Sequence, residues 1–304
     1  MRYLRSLVFS CLSIACVYSH GQPATPTINA LGRTFMIQTI HGRGTVFSID
    51  IDNREYWITA KHLFTGIESG PQGEFLTKSV QANILAPVGN GDKGEVQNWQ
   101  TVTFTTIDPG KDIDILVLVP DHLLLSYSRD FNLKFGSENM ILGGDCVFLG
   151  FPYGGGWRSK WSQTGQWLWW PYIKHCTVSG TLGDPNVVVH VLDGINNKGF
   201  SGGPVLWNTG PNQSVFAVIS GYHTEPLEVL PASVVGDARA SAVPSPPQLP
   251  GQDSTANSGQ IVEANSGFIL AYDIDPAIKA IRANPIGPLR PETPVPATPP
   301  TAAR

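Results

Sequence analysis

The sequence is poor in charge and has no long apolar run after its first 19 residues. Charged residues make up 14% of the 304 residues, against about 25% in ordinary soluble domains. The formal net charge of −4 provides no basic surface for nucleic acid. No later stretch reaches the roughly 18 apolar residues of a membrane helix, so we expect no membrane association once the N-terminal segment is removed. Low charge combined with 32 glycines and 25 prolines disfavours coiled coils and helix bundles.

Residues 1–19 have the organisation of a secretory signal peptide. Arg2 and Arg5 precede an apolar run from Ser6 to Val17, and the small residue Ser19 follows it. The run is too short to span a bilayer comfortably but has the length of a signal-peptide core. We therefore expect cleavage after Ser19, with Gly21 or Ala24 as the next candidates, and a secreted or periplasmic protein. The alternative is an uncleaved anchor.

Cysteine is also scarce. Signal cleavage would remove Cys11 and Cys16 and leave only Cys146 and Cys176. An even pair of cysteines in an exported chain predicts one disulfide bond. Their spacing matches no zinc site, and we expect neither a metal nor a cofactor.

Short strand-like runs separated by Gly, Asn and Asp turns begin at Arg33, a pattern typical of antiparallel barrels or sandwiches. Residues 20–32 are predicted to be a flexible leader, and the Pro/Ser-rich residues 224–264 a long insertion. A short helix is predicted over Ala277–Arg282, and residues 285–304 are predicted to be a disordered Pro-rich tail.

The residues with the strongest chemical signal surround a serine between glycines. In Gly199-Phe200-Ser201-Gly202-Gly203, a tight turn would let the backbone amides of Gly199 and Ser201 point at one oxygen and form an oxyanion hole.

Two other segments supply the partners that such a serine needs. His62 directly follows an apolar run, and Asp114 begins a strand that looks buried. A histidine that takes a proton from Ser201 needs its other nitrogen held by a carboxylate. Asp112 is the competing carboxylate, because residues two apart on a strand face the same side.

These segments resemble the trypsin-like (chymotrypsin-fold) serine proteases, in the bacterial branch of HtrA-type proteases and glutamyl endopeptidases. The resemblance is carried by Gly42-Arg43-Gly44 with Ile58–His62, by Asp114–Pro120, by Gly144–Gly154 and by Asp193–Val205. No PDZ domain is expected after the protease segment.

The resemblance implies an all-β fold of two six-stranded antiparallel β-barrels of the chymotrypsin type with a short C-terminal helix. Residues 33–125 would form the barrel with His62 and Asp114, and residues 126–284 the barrel with Ser201. The implied activity is secreted serine endopeptidase, acting on protein or peptide substrates. His62 would be the general base, Asp114 its orienting partner and Ser201 the nucleophile, with an oxyanion hole at Gly199 and Ser201.

The resemblance also implies substrate-binding positions at Ile195, Asn197, Ser220, Gly221 and His223. Ile195 is apolar where relatives selective for basic side chains place an acid, so Arg/Lys specificity is not expected. His223 either faces an acidic substrate side chain, as in glutamyl endopeptidases, or is an exposed residue at a strand end. The tryptophans of 157–170 are predicted to pack in the core, with an aromatic exosite as the alternative.

Two departures from the family pattern are Lys61, before the histidine, and Phe200, where Asn or Asp is commoner. Phe200 offers no carboxylate to a buried N-terminal amine, so we expect the oxyanion hole to form without N-terminal cleavage.

Two other functions stay open at this point. One is a protease-fold binding protein without turnover. The other is an esterase or lipase, which would need parallel strands alternating with helices and a histidine after the serine.

Overall fold

The computed structural model describes residues 25–67, 72–88, 96–125, 132–137, 140–160, 167–184, 186–208, 212–229 and 260–291. The predicted signal peptide lies outside them. Within the described residues the helices are short: α1 (Ile28–Gly32), α2 (His62–Thr65) and α3 (Asp275–Ala283). A three-residue 3-10 helix spans Pro152–Gly154, and the other regular structure in these ranges is strand.

Six antiparallel strands close the first barrel in the order β1-β2-β3-β6-β5-β4. They are β1 (Thr34–Thr39), β2 (Gly42–Ile51), β3 (Arg54–Thr59), β4 (Ser79–Val88), β5 (Val96–Ile107) and β6 (Leu116–Pro120).

Six more antiparallel strands form the second barrel in the order β13-β8-β11-β12-β15-β14, and pairing of β13 with β14 closes it. They are β8 (Asp145–Gly150), β11 (Tyr172–Asp184), β12 (Val187–Asp193), β13 (Pro204–Trp207), β14 (Ser214–Val229) and β15 (Gln260–Asp273). Strand β7 (Lys134–Phe135) adds to β14 in parallel, and β9 (Trp157–Lys160) pairs with β10 (Trp167–Trp170) as a separate hairpin. The expected all-β fold of two six-stranded barrels with a short C-terminal helix is confirmed.

This architecture excludes the esterase or lipase alternative. The chain continues from Ser201 into strand β13 of an antiparallel barrel. A nucleophile elbow of the lipase type requires a helix after the serine and a parallel sheet beneath it.

The central strands are buried on both faces because each separates two cores. On β2, Val46 packs inside the first barrel, whereas the next residue, Phe47, packs in the core between the barrels. On β6, Leu116 packs inside the first barrel and Val117 packs in the core between the barrels. Successive side chains on a strand point to opposite faces, so these strands carry unbroken apolar runs. Helix α3 covers the core between the barrels with Ile278 and Ile281.

Two of the tryptophans stack at the β9–β10 hairpin. The rings of Trp157 and Trp170 lie 6.1 Å apart between centroids, with Trp170 buried and Trp157 39% exposed. The side-chain amide of Gln97 on β5 donates to the carbonyl of Trp169 at 3.0 Å and holds the hairpin against the first barrel. Trp161 lies outside the described residues.

The described part of the predicted leader is held to the second barrel. The Thr27 hydroxyl accepts from the amide of Ala30 and caps α1. The side chain of Gln213 accepts from the Thr27 amide at 2.7 Å and donates to the Thr25 carbonyl at 2.9 Å. Residues 25–32 therefore differ from the flexible segment expected, because a buried glutamine satisfies their backbone groups.

The first part of the predicted tail is also held in place. Arg290 is 5% exposed and bonds Asp50 and Glu55 of the first barrel, each at 2.7 Å. Arg33 bonds Asp50 at 3.0 Å, so two cations and two carboxylates balance in one buried cluster. Residues 285–291 thus differ from the disordered tail expected, because Arg290 neutralises carboxylates buried in the barrel.

Both ends of the predicted insertion belong to strands. Strand β14 continues to Val229 and pairs with β15 from Gln260 onward, which makes one long hairpin. Residues 230–259 lie outside the described residues. None of the helices in the described ranges is both long enough and apolar enough to cross a membrane.

Candidate active site

His62 and Asp114 meet where β3 leads into α2 and the chain approaches β6. The carboxylate of Asp114 lies 2.7 Å from His62 Nδ1 and accepts a second hydrogen bond, of 2.8 Å, from the His62 backbone amide. Asp114 is 2% exposed, and this pairing leaves Nε2 of a neutral His62 as the proton acceptor. The competing Asp112 is half-exposed, and its carboxylate lies 4.0 Å from Nζ of the surface residue Lys111.

Ser220 connects Asp114 to Ser201. The Ser220 hydroxyl donates to Asp114, and the Ser220 carbonyl accepts from the Ser201 hydroxyl at 3.0 Å. Across the described ranges, the Ser201 hydroxyl bonds this carbonyl and makes no hydrogen bond to His62. Hydrogen bonds thus link the three residues predicted as a triad: His62 bonds Asp114, and Ser220 connects Asp114 to Ser201.

The serine lies in a turn that only glycines on its two sides allow. Gly199 and Gly202 have φ of 104° and 83°, values that side chains rarely tolerate. A Cβ atom on Gly199 would collide with the Phe151 carbonyl, and one on Gly202 with the Thr45 carbonyl. The loop therefore packs directly on the backbone of both barrels.

The amides predicted to form an oxyanion hole are available. Neither the Gly199 nor the Ser201 amide bonds an acceptor within the described part of the chain. The carbonyl of Lys198 accepts from the Tyr153 amide at 2.7 Å. Because C=O and N–H of a trans peptide point in opposite directions, that bond turns the Gly199 N–H away from Tyr153.

Thr45, which the sequence analysis did not single out, connects the first barrel to the loop around Ser201 (residues 195–203, the serine loop). Its backbone amide donates to the Ser201 carbonyl at 2.8 Å. Its hydroxyl donates to the Gly199 carbonyl at 2.7 Å and accepts from the Phe151 amide at 3.1 Å. Thr45 is completely buried, so water cannot replace these bonds.

Lys61, which the sequence indicated only as a departure from the family pattern, connects the loops that hold His62 and Asp114. Its side chain is fully buried, and Nζ lies 2.6 Å from both Asp108 and the Gly110 carbonyl. Asp108 also accepts from the amide of Phe75 at 2.6 Å. The ammonium thereby fixes the chain just before His62 to the turn that precedes Asp114.

Most of the predicted substrate-binding positions meet at buried Asn196. This residue lies between Ile195 and Asn197, and its side-chain amide donates to the Gly221 carbonyl at 3.3 Å. Ile195 is 54% exposed. Ser220 and Gly221 are adjacent on β14, whereas His223, two residues further, is exposed. The structure therefore places Ile195, Asn197, Ser220 and Gly221 close together. His223 is exposed and lies further along β14.

Cys146 and Cys176 face each other directly on β8 and β11. Both are buried, and their sulfur atoms lie 2.7 Å apart as free thiols. Directly opposed residues of an antiparallel pair have Cα atoms about 4.5–5.5 Å apart, within reach of a disulfide. The bond itself stays a prediction.

Together, two closed antiparallel barrels with these residues at their junction define the double-barrel fold of trypsin-like serine proteases. Neither the protein-family models nor the curated proteins include a match to the chain.

Solved structures with a similar fold include three distant ones. The inactive form of Rv3671c from M. tuberculosis H37Rv is 16% identical at a TM-score of 0.43, covering 86% of this chain and 95% of that one. The HtrA-type protease AlgW with a tripeptide is 12% identical at 0.46, covering 84% and 60% respectively, so this chain spans less than two thirds of AlgW. Human heparin binding protein is 15% identical at 0.43, covering 89% and 99%. Sequence identities this low do not establish the function of this chain.

Proposed function

We propose that the protein is a serine endopeptidase that hydrolyses peptide bonds through an acyl-enzyme intermediate. The observation that carries the proposal is the buried His62–Asp114 pair joined through Ser220 to Ser201. A carboxylate, an imidazole and a hydroxyl are the three groups that convert a serine into a nucleophile at neutral pH once the hydroxyl reaches the imidazole.

Each step has a residue to perform it. The Ser201 oxygen attacks the carbonyl carbon of the peptide bond while its proton passes to Nε2 of His62. The amides of Gly199 and Ser201 stabilise the negative oxygen that forms. His62 then gives the proton to the departing amine, and a water molecule, deprotonated by His62, releases the acyl group from Ser201.

The bond between Ser201 and the Ser220 carbonyl must break before attack. Rotation about the Cα–Cβ bond of Ser201 releases the hydroxyl from that carbonyl and lets it turn toward His62. The Ser220 carbonyl is then free to accept a substrate N–H. We propose protein or peptide substrates held along β14, and export through residues 1–19 to a periplasm or out of the cell.

Labelling and mutation test the proposal. Diisopropyl fluorophosphate should label Ser201, and Ser201→Ala or His62→Ala should each lower kcat for casein hydrolysis by about four to six orders of magnitude. Asp114→Asn should lower kcat by about four orders of magnitude, because the histidine loses its orienting acceptor. Asp112→Asn is the matched control and should retain full activity. Masses of the casein products would give the residue preferred before the cleaved bond.

A protease-fold binding protein is the second candidate, favoured by the observation that the Ser201 hydroxyl bonds Ser220 instead of His62. Such a protein would leave casein intact and would not react with the fluorophosphate. Labelling of Ser201 together with casein hydrolysis excludes it.

A further inference from the structure

Lys174 on β11 contacts the segment that precedes Ser201. Its Nζ donates to the Ile195 carbonyl at 2.7 Å and to the Asn197 side-chain oxygen at 2.5 Å. The same Nζ lies 5.5 Å from the ring centroid of Phe200. All three contacts fall on residues 195–200, the segment that ends at Ser201.

These contacts continue to the peptide that presents the oxyanion amide. The side chain of Asn197 donates to the Tyr153 hydroxyl at 3.3 Å. The Tyr153 amide in turn holds the Lys198 carbonyl at 2.7 Å. Tyr153 thus contacts Asn197 through its hydroxyl and the Lys198–Gly199 peptide through its backbone amide, which connects Lys174 indirectly to that peptide.

The acceptors favour an ammonium over a neutral amine. Ile195 and Asn197 offer lone pairs and no charge, and across the described ranges no carboxylate pairs with Lys174. Hydrogen bonds from a charged donor are roughly twice as strong as neutral ones. The face of the buried Phe200 ring adds a further site that attracts a cation.

We propose that the Lys174 ammonium is a positioning residue that holds the serine loop in the shape that binds the oxyanion, so that activity requires Lys174 to be protonated. The inference rests on the proposed function and adds a residue that acts through the loop without touching substrate.

The sign of the pH dependence follows from the charge. Desolvation lowers the pKa of Lys174 from the ordinary lysine value of 10.5. The loop is held at pH values below that lowered pKa and loses its charged donor as the pH rises through it. The titratable groups around Lys174 are Tyr172 and Cys176 on its face of β11, Cys146 on β8, Tyr153 beyond Asn197, and Lys198 on the loop.

Two substitutions at Lys174 separate charge from packing. Lys174→Met keeps the length of the side chain and should lower kcat about 10- to 100-fold with little change in KM, since the loss acts on the oxyanion amide. Lys174→Arg should retain kcat within about threefold at pH 7 and move the alkaline fall of kcat upward, because a guanidinium has a higher pKa than an ammonium and stays charged. The same substitutions at Lys279, an exposed lysine of α3, are the control and should change neither quantity.

A nuclear magnetic resonance titration tests the loop without catalysis. In 13C-labelled wild-type protein, the Cα shift of Gly199, which does not depend on the exchangeable amide proton, should follow the protonation of Lys174. In Lys174→Arg the shift should not move over the same pH range. This result supports the inference even if the protein hydrolyses nothing, in which case only the proposed function fails.

Two outcomes would overturn the inference. One is a folded Lys174→Met variant with wild-type kcat. The other is an alkaline fall of kcat, or a Gly199 shift, that occurs at the same pH in wild type and in Lys174→Arg. Should Lys174→Met fail to fold, as judged by near-ultraviolet circular dichroism, the arginine variant alone decides.

Discussion

Thr45→Val removes one oxygen atom at the junction of the barrels and leaves the side-chain shape almost unchanged. The lost hydroxyl serves two buried backbone groups, the Gly199 carbonyl at 2.7 Å and the Phe151 amide at 3.1 Å. Neither group has water within reach, because Thr45, Phe151 and Gly199 are all buried.

The magnitude follows from those two groups. Leaving one buried polar group unpaired costs about 1–3 kcal/mol, so the loss of two partners should lower the free energy of unfolding by about 2–6 kcal/mol. The Gly199 carbonyl belongs to the peptide next to the oxyanion amide. Its release should lower kcat about 10- to 100-fold, less than the loss expected from deleting an oxyanion donor outright.

Thr45→Ser is the matched control, since it keeps the hydroxyl and loses one methyl group, at a cost of about 1 kcal/mol. Urea denaturation, with an unchanged slope, measures stability, and casein or peptide hydrolysis measures kcat. If the valine variant is as stable and as active as the serine variant, the hydroxyl bridge does not hold the loop and the reasoning is refuted.

Three further predictions concern regions outside the catalytic groups. Arg290→Leu should lower the free energy of unfolding by about 3–5 kcal/mol, since two carboxylates lose a buried partner; exposed Arg282→Leu is the control, and a loss no larger than the control's would contradict the buried cluster. Protein secreted under oxidising conditions and then unfolded without a reductant should show no alkylatable thiol at Cys146 or Cys176, with a stabilisation of about 3 kcal/mol over the reduced form; quantitative alkylation of the unfolded, unreduced protein would refute the bond. A mature chain with an uncleavable extension before Gln22 should be as active as one without it, and inactivity until the extension is cut would refute self-sufficient assembly of the oxyanion hole.

Patterns of neighbouring residues in the sequence predicted those parts of the structure that depend on local interactions. Asp52 and Asn53 adopt φ of 49° and 63° in the turn between β2 and β3, a conformation these residue types tolerate. His62 and Asp114 were recognisable because one ends and the other begins a short apolar run, and Ser201 because it lies between glycines. Such signals lie within a few residues of the feature they predict.

The residues that hold the site in place were not predictable, because their partners are remote. Thr45 and Gly199 are 154 positions apart, and Arg290 and Asp50 are 240 apart. A buried threonine has no distinctive pattern of its own, and Arg290 lies in a Pro-rich stretch whose composition indicates disorder. Only the closure of both barrels brings these pairs together.

Phe200 explains why the serine loop needs support from within the chain. Its ring is fully buried and packs edge-on against Phe148, with 4.9 Å between centroids. A carboxylate at this position would require a buried cation such as a freshly cut N-terminus, whereas an apolar ring makes the burial of such an amine unfavourable. Thr45 and Lys174 are residues within the chain that bond the loop at Gly199 and at Ile195. A loop fastened by internal side chains gains nothing from proteolysis at the N-terminus, and its competence would then vary with pH through Lys174 and not with cleavage.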